Sequence, residues 1–145
     1  MTLKYLSQFY ATTKWGERAS FDLITYDLST GMTGLTTAES ALERAERFIA
    51  RYSTSELLYD VYYQMANAHQ HLWNETEPDD ERQRSAEEEL KNPNPHRLEA
   101  IRLLKLVSVN RDKLRVKKWS QDSEDELNKL EKGEYTRVFY FFHLD

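Results

Sequence analysis

The chain has 145 residues, of which 39% are apolar and 31% charged, and its net charge is −5 at pH 7. This length suits one folded domain over residues 1–145, and the absence of cysteine excludes disulfides, thiolate metal sites and cysteine nucleophiles. The acidic balance argues against general affinity for nucleic acids, and no apolar run approaches the roughly 20 residues that span a bilayer. We expect a mature cytoplasmic protein without membrane insertion, or alternatively a periplasmic one that is part of a larger precursor.

Four glycines and three prolines are too few for an all-β chain with many tight turns, so the sequence favours long helices. Residues 3–14 carry apolar side chains at near-helical spacing and predict a first helix. Residues 20–27 fit either a short strand or a helical turn, and residues 29–34 predict a loop. We therefore expect an all-α, mainly helical fold, with 20–27 and 135–143 as the places where short strands could form.

Two segments rich in serine and threonine predict the starts of the central helices. Thr36 and Glu39 have the spacing of a capping box, ahead of an amphipathic helix of about 15 residues. Residues 53–56 repeat that signature before a helix over roughly 55–74. The apolar stripe of this second helix consists of Leu58, Val61, Tyr62, Met65, Ala66, His69 and Trp73.

The next part of the chain is a charged insertion at about 75–92, of which residues 80–91 could form a solvated helix. Asn94 and Pro95 predict the cap and the first position of the helix that follows. The basic residues up to about Lys118 could continue that helix.

The last predicted helix is capped by Ser123 and Glu126 and ends at Gly133. The run at 138–142 is too apolar for a free tail, so it must pack as a helix or a strand. It could also form part of an oligomer interface.

A repeated pattern connects the central helices. The segments ALERAERFIARY and AIRLLKLVSVNR, which begin at Ala41 and Ala100, carry small or apolar residues at the shared offsets 0, 4 and 7. The helix between them carries Tyr62, Met65, Ala66 and His69 at offsets 0, 3, 4 and 7. This pattern resembles the tetratricopeptide repeat family over roughly residues 37–112, in a divergent form with a long insertion.

The resemblance implies antiparallel helical hairpins, with the small side chains of Ala66 and Ala100 at the points of closest helix approach. It also implies that the terminal helices cap the stack and that a concave face binds protein segments. Our leading interpretation is a non-catalytic interaction or scaffold module that binds a protein partner or a second copy. We expect the binding face on the polar and aromatic side of the 55–74 helix, at Tyr59, Tyr63, Gln64, Asn67 and Gln70.

A nucleic-acid-associated helical protein is the alternative. The basic segment RDKLRVKK, followed by Trp119, has the composition that meets phosphates. It is also typical of a solvated helix end or of pairing with the acidic insertion. The candidate contacts are Arg111, Lys113, Arg115, Lys117 and Lys118.

The histidines do not form a recognisable ligand set. His69 and His71 lie two positions apart and so point to nearly opposite sides of a helix, which predicts His69 in the core and His71 at the surface. His96 and Glu99 fit an ion pair at a helix start, and Glu87 to Glu89 fit a solvated face. Since no phosphate loop, nucleophile elbow or metal-ligand spacing occurs, we expect no metal, no cofactor and no enzymatic activity.

Overall fold

The computed structural model describes residues 2–30, 35–76 and 85–134. Within these ranges the fold is all-α, as predicted, with seven α-helices and one short 3₁₀ helix. The helices are α1 (Leu3–Phe9), α2 (Lys14–Thr30), α3 (Leu35–Arg51), α4 (Leu58–Thr76), α5 (Ala86–Lys91), α6 (Pro95–Val109) and α7 (Lys118–Glu131), and the 3₁₀ turn is Arg111–Lys113. None of the helices in the described part is long and apolar enough to cross a membrane.

Residues 20–27, which fitted either a short strand or a helical turn, are helical and belong to α2. Phe21, Ile24 and Leu28 are all buried, and their spacing of three and four residues places them on one face of α2. The other candidate strand, at 135–143, lies outside the described residues, as does the apolar run at 138–142.

The predicted first helix breaks at Tyr10, and the chain turns before α2 begins at Lys14. Glycine at position 16 permits this turn, because a Cβ atom there would lie 2.0 Å from the carbonyl oxygen of Tyr10. The close approach lets α1 fold back onto α2, and α1 itself contains no buried residue.

The remaining helices pack around α4. It runs antiparallel to α6, since His69 meets His96 at one end while Asp60 meets the backbone of Arg115 at the other. It also contacts α2, α3 and α7. Neighbours on several sides make α4 the central helix of the fold rather than a helix with one exposed face.

Asn94 and Pro95 start α6 as predicted, and the Asn94 side chain accepts a hydrogen bond from the His96 backbone N–H. Gly133, whose φ is +74°, follows the end of α7 as predicted. The predicted cap at Ser123 is wrong, since this side chain is buried inside α7 and donates to the Ser120 carbonyl. The chain entering α7 is held instead by the Asp60 carboxylate, which accepts from the Arg115 and Val116 backbone N–H groups.

The start of α3 also differs from its predicted capping box. The helix begins at Leu35, one residue before Thr36, so Thr36 lies within the first turn instead of at the cap position. A real cap residue stands outside the helix with an extended backbone.

The prediction of a solvated face at Glu87 to Glu89 is wrong at its last residue. Glu89 on α5 is buried and accepts hydrogen bonds from the Arg97 side chain at 2.9 Å and from the Asn94 backbone N–H at 2.6 Å. Arg97 also donates to the carbonyl of Leu130 in α7. One buried ion pair therefore joins α5, α6 and α7.

Candidate functional site

The structure places the predicted binding face of α4 inside the protein. Gln64, Asn67 and Gln70 are buried, Tyr63 is only 4% exposed, and Tyr59 is half-buried. The prediction that these five side chains form an exposed face is wrong, because it assumed that α4 has neighbours on one side only. Burial leaves Tyr63, Gln64, Asn67 and Gln70 without the surface that a partner could contact.

These side chains instead form polar and aromatic contacts in the interior, some within α4 and some with neighbouring helices. Gln64 donates to the Thr25 hydroxyl of α2 at 2.9 Å, and Gln70 donates to the Asn67 carbonyl group at 3.2 Å. Tyr63 stacks against Trp119 of α7, with ring centroids 4.9 Å apart. Polar groups that lose contact with water need such partners, so the polar residues of α4 help to specify how its neighbours pack.

The carboxyl group of Glu126 on α7 belongs to the same interior. Burial raises its pKa to about 8 against the lowering effect of hydrogen bonds with Tyr63 and Gln70, and the charges of Asp122 and Asp125 raise it further. The carboxyl is therefore mostly neutral at pH 7. Its hydrogen-bond partners belong to α4, so its protonation state bears on how α7 packs against α4.

His69 and His96 form a pair between α4 and α6, with their Nδ1 atoms 3.1 Å apart. His69 is part-buried at this interface, and the predicted ion pair of His96 with Glu99 is replaced by one between Glu99 and Arg102. His71 is also half-buried, which corrects its predicted place at the surface. No group of three or more potential metal ligands occurs in the described ranges.

We expect His69 to stay neutral until the solution is strongly acidic. Burial and the nearby charge of His96 lower its pKa to about 4. NMR titration of the imidazole protons should therefore place the His69 midpoint near pH 4, and His96→Asn should move that midpoint upward. A midpoint near the ordinary value of about 6.5 in the wild-type chain would contradict the pairing.

The basic segment makes contacts within the protein. Arg111 pairs with Glu124 at 3.3 Å and Arg115 with Glu56 at 3.0 Å. The Lys113 ammonium lies 5.3 Å from the centre of the Tyr59 ring. Lys117 and Lys118 are exposed. Three of the five predicted phosphate contacts are thus engaged internally, and the carboxylates paired with Arg111 and Arg115 reduce the positive field that phosphates need.

The two most exposed aromatic side chains of the described part, Phe9 and Trp15, lie elsewhere, on α1 and at the start of α2. Phe9 is 69% exposed and Trp15 is 74% exposed, and Tyr5 and Tyr10 are also exposed. The Tyr5 ring stacks on Phe9 with centroids 4.6 Å apart and lies 5.9 Å from Tyr10. We call Tyr5, Phe9, Tyr10 and Trp15 the aromatic edge.

A cavity of about 370 Å³ adjoins the aromatic edge and is lined by Ala11, Thr12, Arg51 and Tyr52. Tyr52 fixes one wall, because its hydroxyl donates to the Ala11 carbonyl at 2.6 Å. The cavity thus lies between the α1–α2 turn and the end of α3. Sequence reasoning missed this region because the spacing of Leu3, Leu6 and Phe9 indicates a core-facing helix.

No protein family, curated protein or solved structure matches the chain.

Proposed function

We propose that the protein is a non-catalytic helical module that binds protein partners through the aromatic edge. The proposal rests on one observation. The α1 helix buries none of its own residues, and its exposed Tyr5 and Phe9 rings lie near Tyr10 at its C-cap, with exposed Trp15 following at the start of α2. Tyrosine and tryptophan are enriched among residues that dominate binding energy. Exposed apolar patches on folded proteins often mark interaction sites.

The tetratricopeptide-like arrangement remains part of this proposal. Ala41, Ala45, Ala66 and Ala100, which carry the repeat pattern, are almost completely buried, and such small residues allow close helix approach. In this proposal the pairs α3–α4 and α4–α6 are the hairpins, and α1 with the start of α2 presents the binding surface.

The proposal is tested by replacing Phe9 and Trp15 with alanine in one variant. We expect partner capture from native extracts to fall at least about tenfold, as for loss of a binding hot spot, with an unchanged melting temperature because both side chains are exposed. Val109→Ala is the control, since Val109 is equally exposed but lies at the end of α6. Equal recovery of the same proteins by both variants would contradict the proposal.

A further inference from the structure

The arginine in the cavity beside the aromatic edge differs from the other arginines in its ion pairing. Of the eight arginines in the described part of the chain, seven form an ion pair with a carboxylate: Arg18, Arg44, Arg47, Arg97, Arg102, Arg111 and Arg115. Arg51 is the eighth and has no such pair among these residues. It is also the arginine that lines the cavity beside the aromatic edge.

We infer, on the basis of the proposed function, that the partner is an acidic peptide segment and that one of its carboxylates enters this cavity to pair with Arg51. A guanidinium group presents two parallel N–H donors that match a carboxylate. Thr12 lines the same cavity, and a threonine hydroxyl can act as a further donor. Apolar side chains of the same segment would then lie on Phe9 and Trp15.

The charges around the aromatic edge fit an acidic partner. Lys4 and Lys14 adjoin Tyr5 and Trp15 in the chain, both lysines are exposed, and neither pairs with a carboxylate in the described part. Together with Arg51, the two lysines outnumber the one acid close to Trp15 in the chain, Glu17, so this edge is locally basic in a protein whose net charge is −5. Opposite charges on the two partners speed association and fix their relative position.

A peptide fits this surface better than a nucleic acid or a membrane does. Binding to duplex DNA typically neutralises about 6–10 phosphates, whereas the edge offers Lys4, Lys14 and Arg51. The α1 helix has seven residues, far fewer than the roughly 20–30 residues of many membrane-surface helices. A cavity with one arginine accepts a single carboxylate side chain.

Selection of random displayed peptides on the full chain tests the inference, with affinities then measured by fluorescence polarisation. We expect the selected peptides to share an Asp or Glu beside an aromatic or aliphatic residue. Arg51→Gln should weaken their binding at least tenfold, and replacing the peptide acid by its amide should weaken it equally, with no additional loss when both changes are combined. Arg47→Gln is the control, because Arg47 lies one turn earlier on α3 and pairs with Glu43.

The outcomes separate this inference from the proposed function. Peptides that require Phe9 and Trp15 but bind Arg51→Gln normally would overturn the acidic partner and leave the aromatic edge as the binding surface. Failure to select any peptide that requires Phe9 and Trp15 would overturn both. Binding of phosphatidylglycerol vesicles or a single-stranded oligonucleotide in place of peptides, or self-association lost on Phe9→Ala, would assign the surface to another occupant.

Discussion

Replacing Arg97 with methionine should lower the free energy of unfolding by about 3–5 kcal/mol, because it leaves the Glu89 carboxylate buried without its counter-charge. The Arg97 and Glu89 side chains are only 5% and 1% exposed. The same change removes the donor to the Leu130 carbonyl, so the contact of α6 with α7 weakens as well. Urea denaturation at pH 7 measures the loss, which is a large part of the roughly 5–15 kcal/mol that stabilises a typical domain.

Arg102→Met is the matched control on the same helix. Arg102 pairs with Glu99 at the surface, where an ion pair contributes about 0–1 kcal/mol. Combining Arg97→Met with Glu89→Leu should cost less than the sum of the single changes, since no unpaired charge then remains. Equal destabilisation by Arg97→Met and Arg102→Met would show that the Glu89–Arg97 pair does not hold the three helices together.

Glu126→Gln should stabilise the protein by about 3–4 kcal/mol at pH 7–8, because glutamine removes the cost of keeping this carboxyl protonated in the folded state. The variant should therefore lose little of its stability between pH 6.5 and pH 8. The folded state raises the pKa of Glu126 to about 8 from the ordinary 4.5, so folding favours the protonated form. The protonated Glu126 carboxyl makes its full contribution to the free energy of unfolding below pH 4.5, and this contribution is lost as the pH rises to about 8. Glutamine keeps an acceptor for Tyr63 and Gln70 and cannot ionise.

Chemical denaturation between pH 5 and pH 9 measures this effect, with Glu124→Gln as the exposed control on α7. The lowered pKa of His69 acts in the opposite direction, because its contribution is lost as the pH falls from 6.5 to about 4. Above pH 6.5 the change of stability with pH therefore reports the ionisation of Glu126 without a contribution from His69. A stability profile that is the same for the wild type and Glu126→Gln there would contradict a buried neutral carboxyl.

Local signals in the sequence predicted much of the fold. The helical spacing of apolar residues predicted α3, α4 and α6, and Asn94 with Pro95 predicted the start of α6. Ser123 misled because serine can also bond within a helix. The true stabiliser of the α7 start, Asp60, lies more than fifty residues earlier in the chain, and local patterns do not report such long-range contacts.

The candidate site was harder to predict for the same reason. A polar side chain on a helix usually faces solvent, but Gln64, Asn67 and Gln70 are buried. Gln64 bonds to Thr25 of α2, and Gln70 bonds to Asn67 within α4. Phenylalanine and tryptophan usually indicate a core, but α1, which carries Phe9, lies outside it, and Trp15 in the first turn of α2 is exposed. Which faces of a helix are buried depends on how many other helices pack against it. The composition of the helix alone does not determine that number.

Hydroxyl-radical footprinting of the chain, alone and after incubation with its captured partner, tests the central claim most directly. We predict that Phe9 and Trp15 are oxidised readily in the free chain and become protected in the complex. Tyr63 should remain unmodified in both states, because it faces Trp119 in the interior. Readily oxidised Tyr63 in the free chain, or a complex that protects other residues and leaves Phe9 and Trp15 reactive, would contradict the placement of the binding surface.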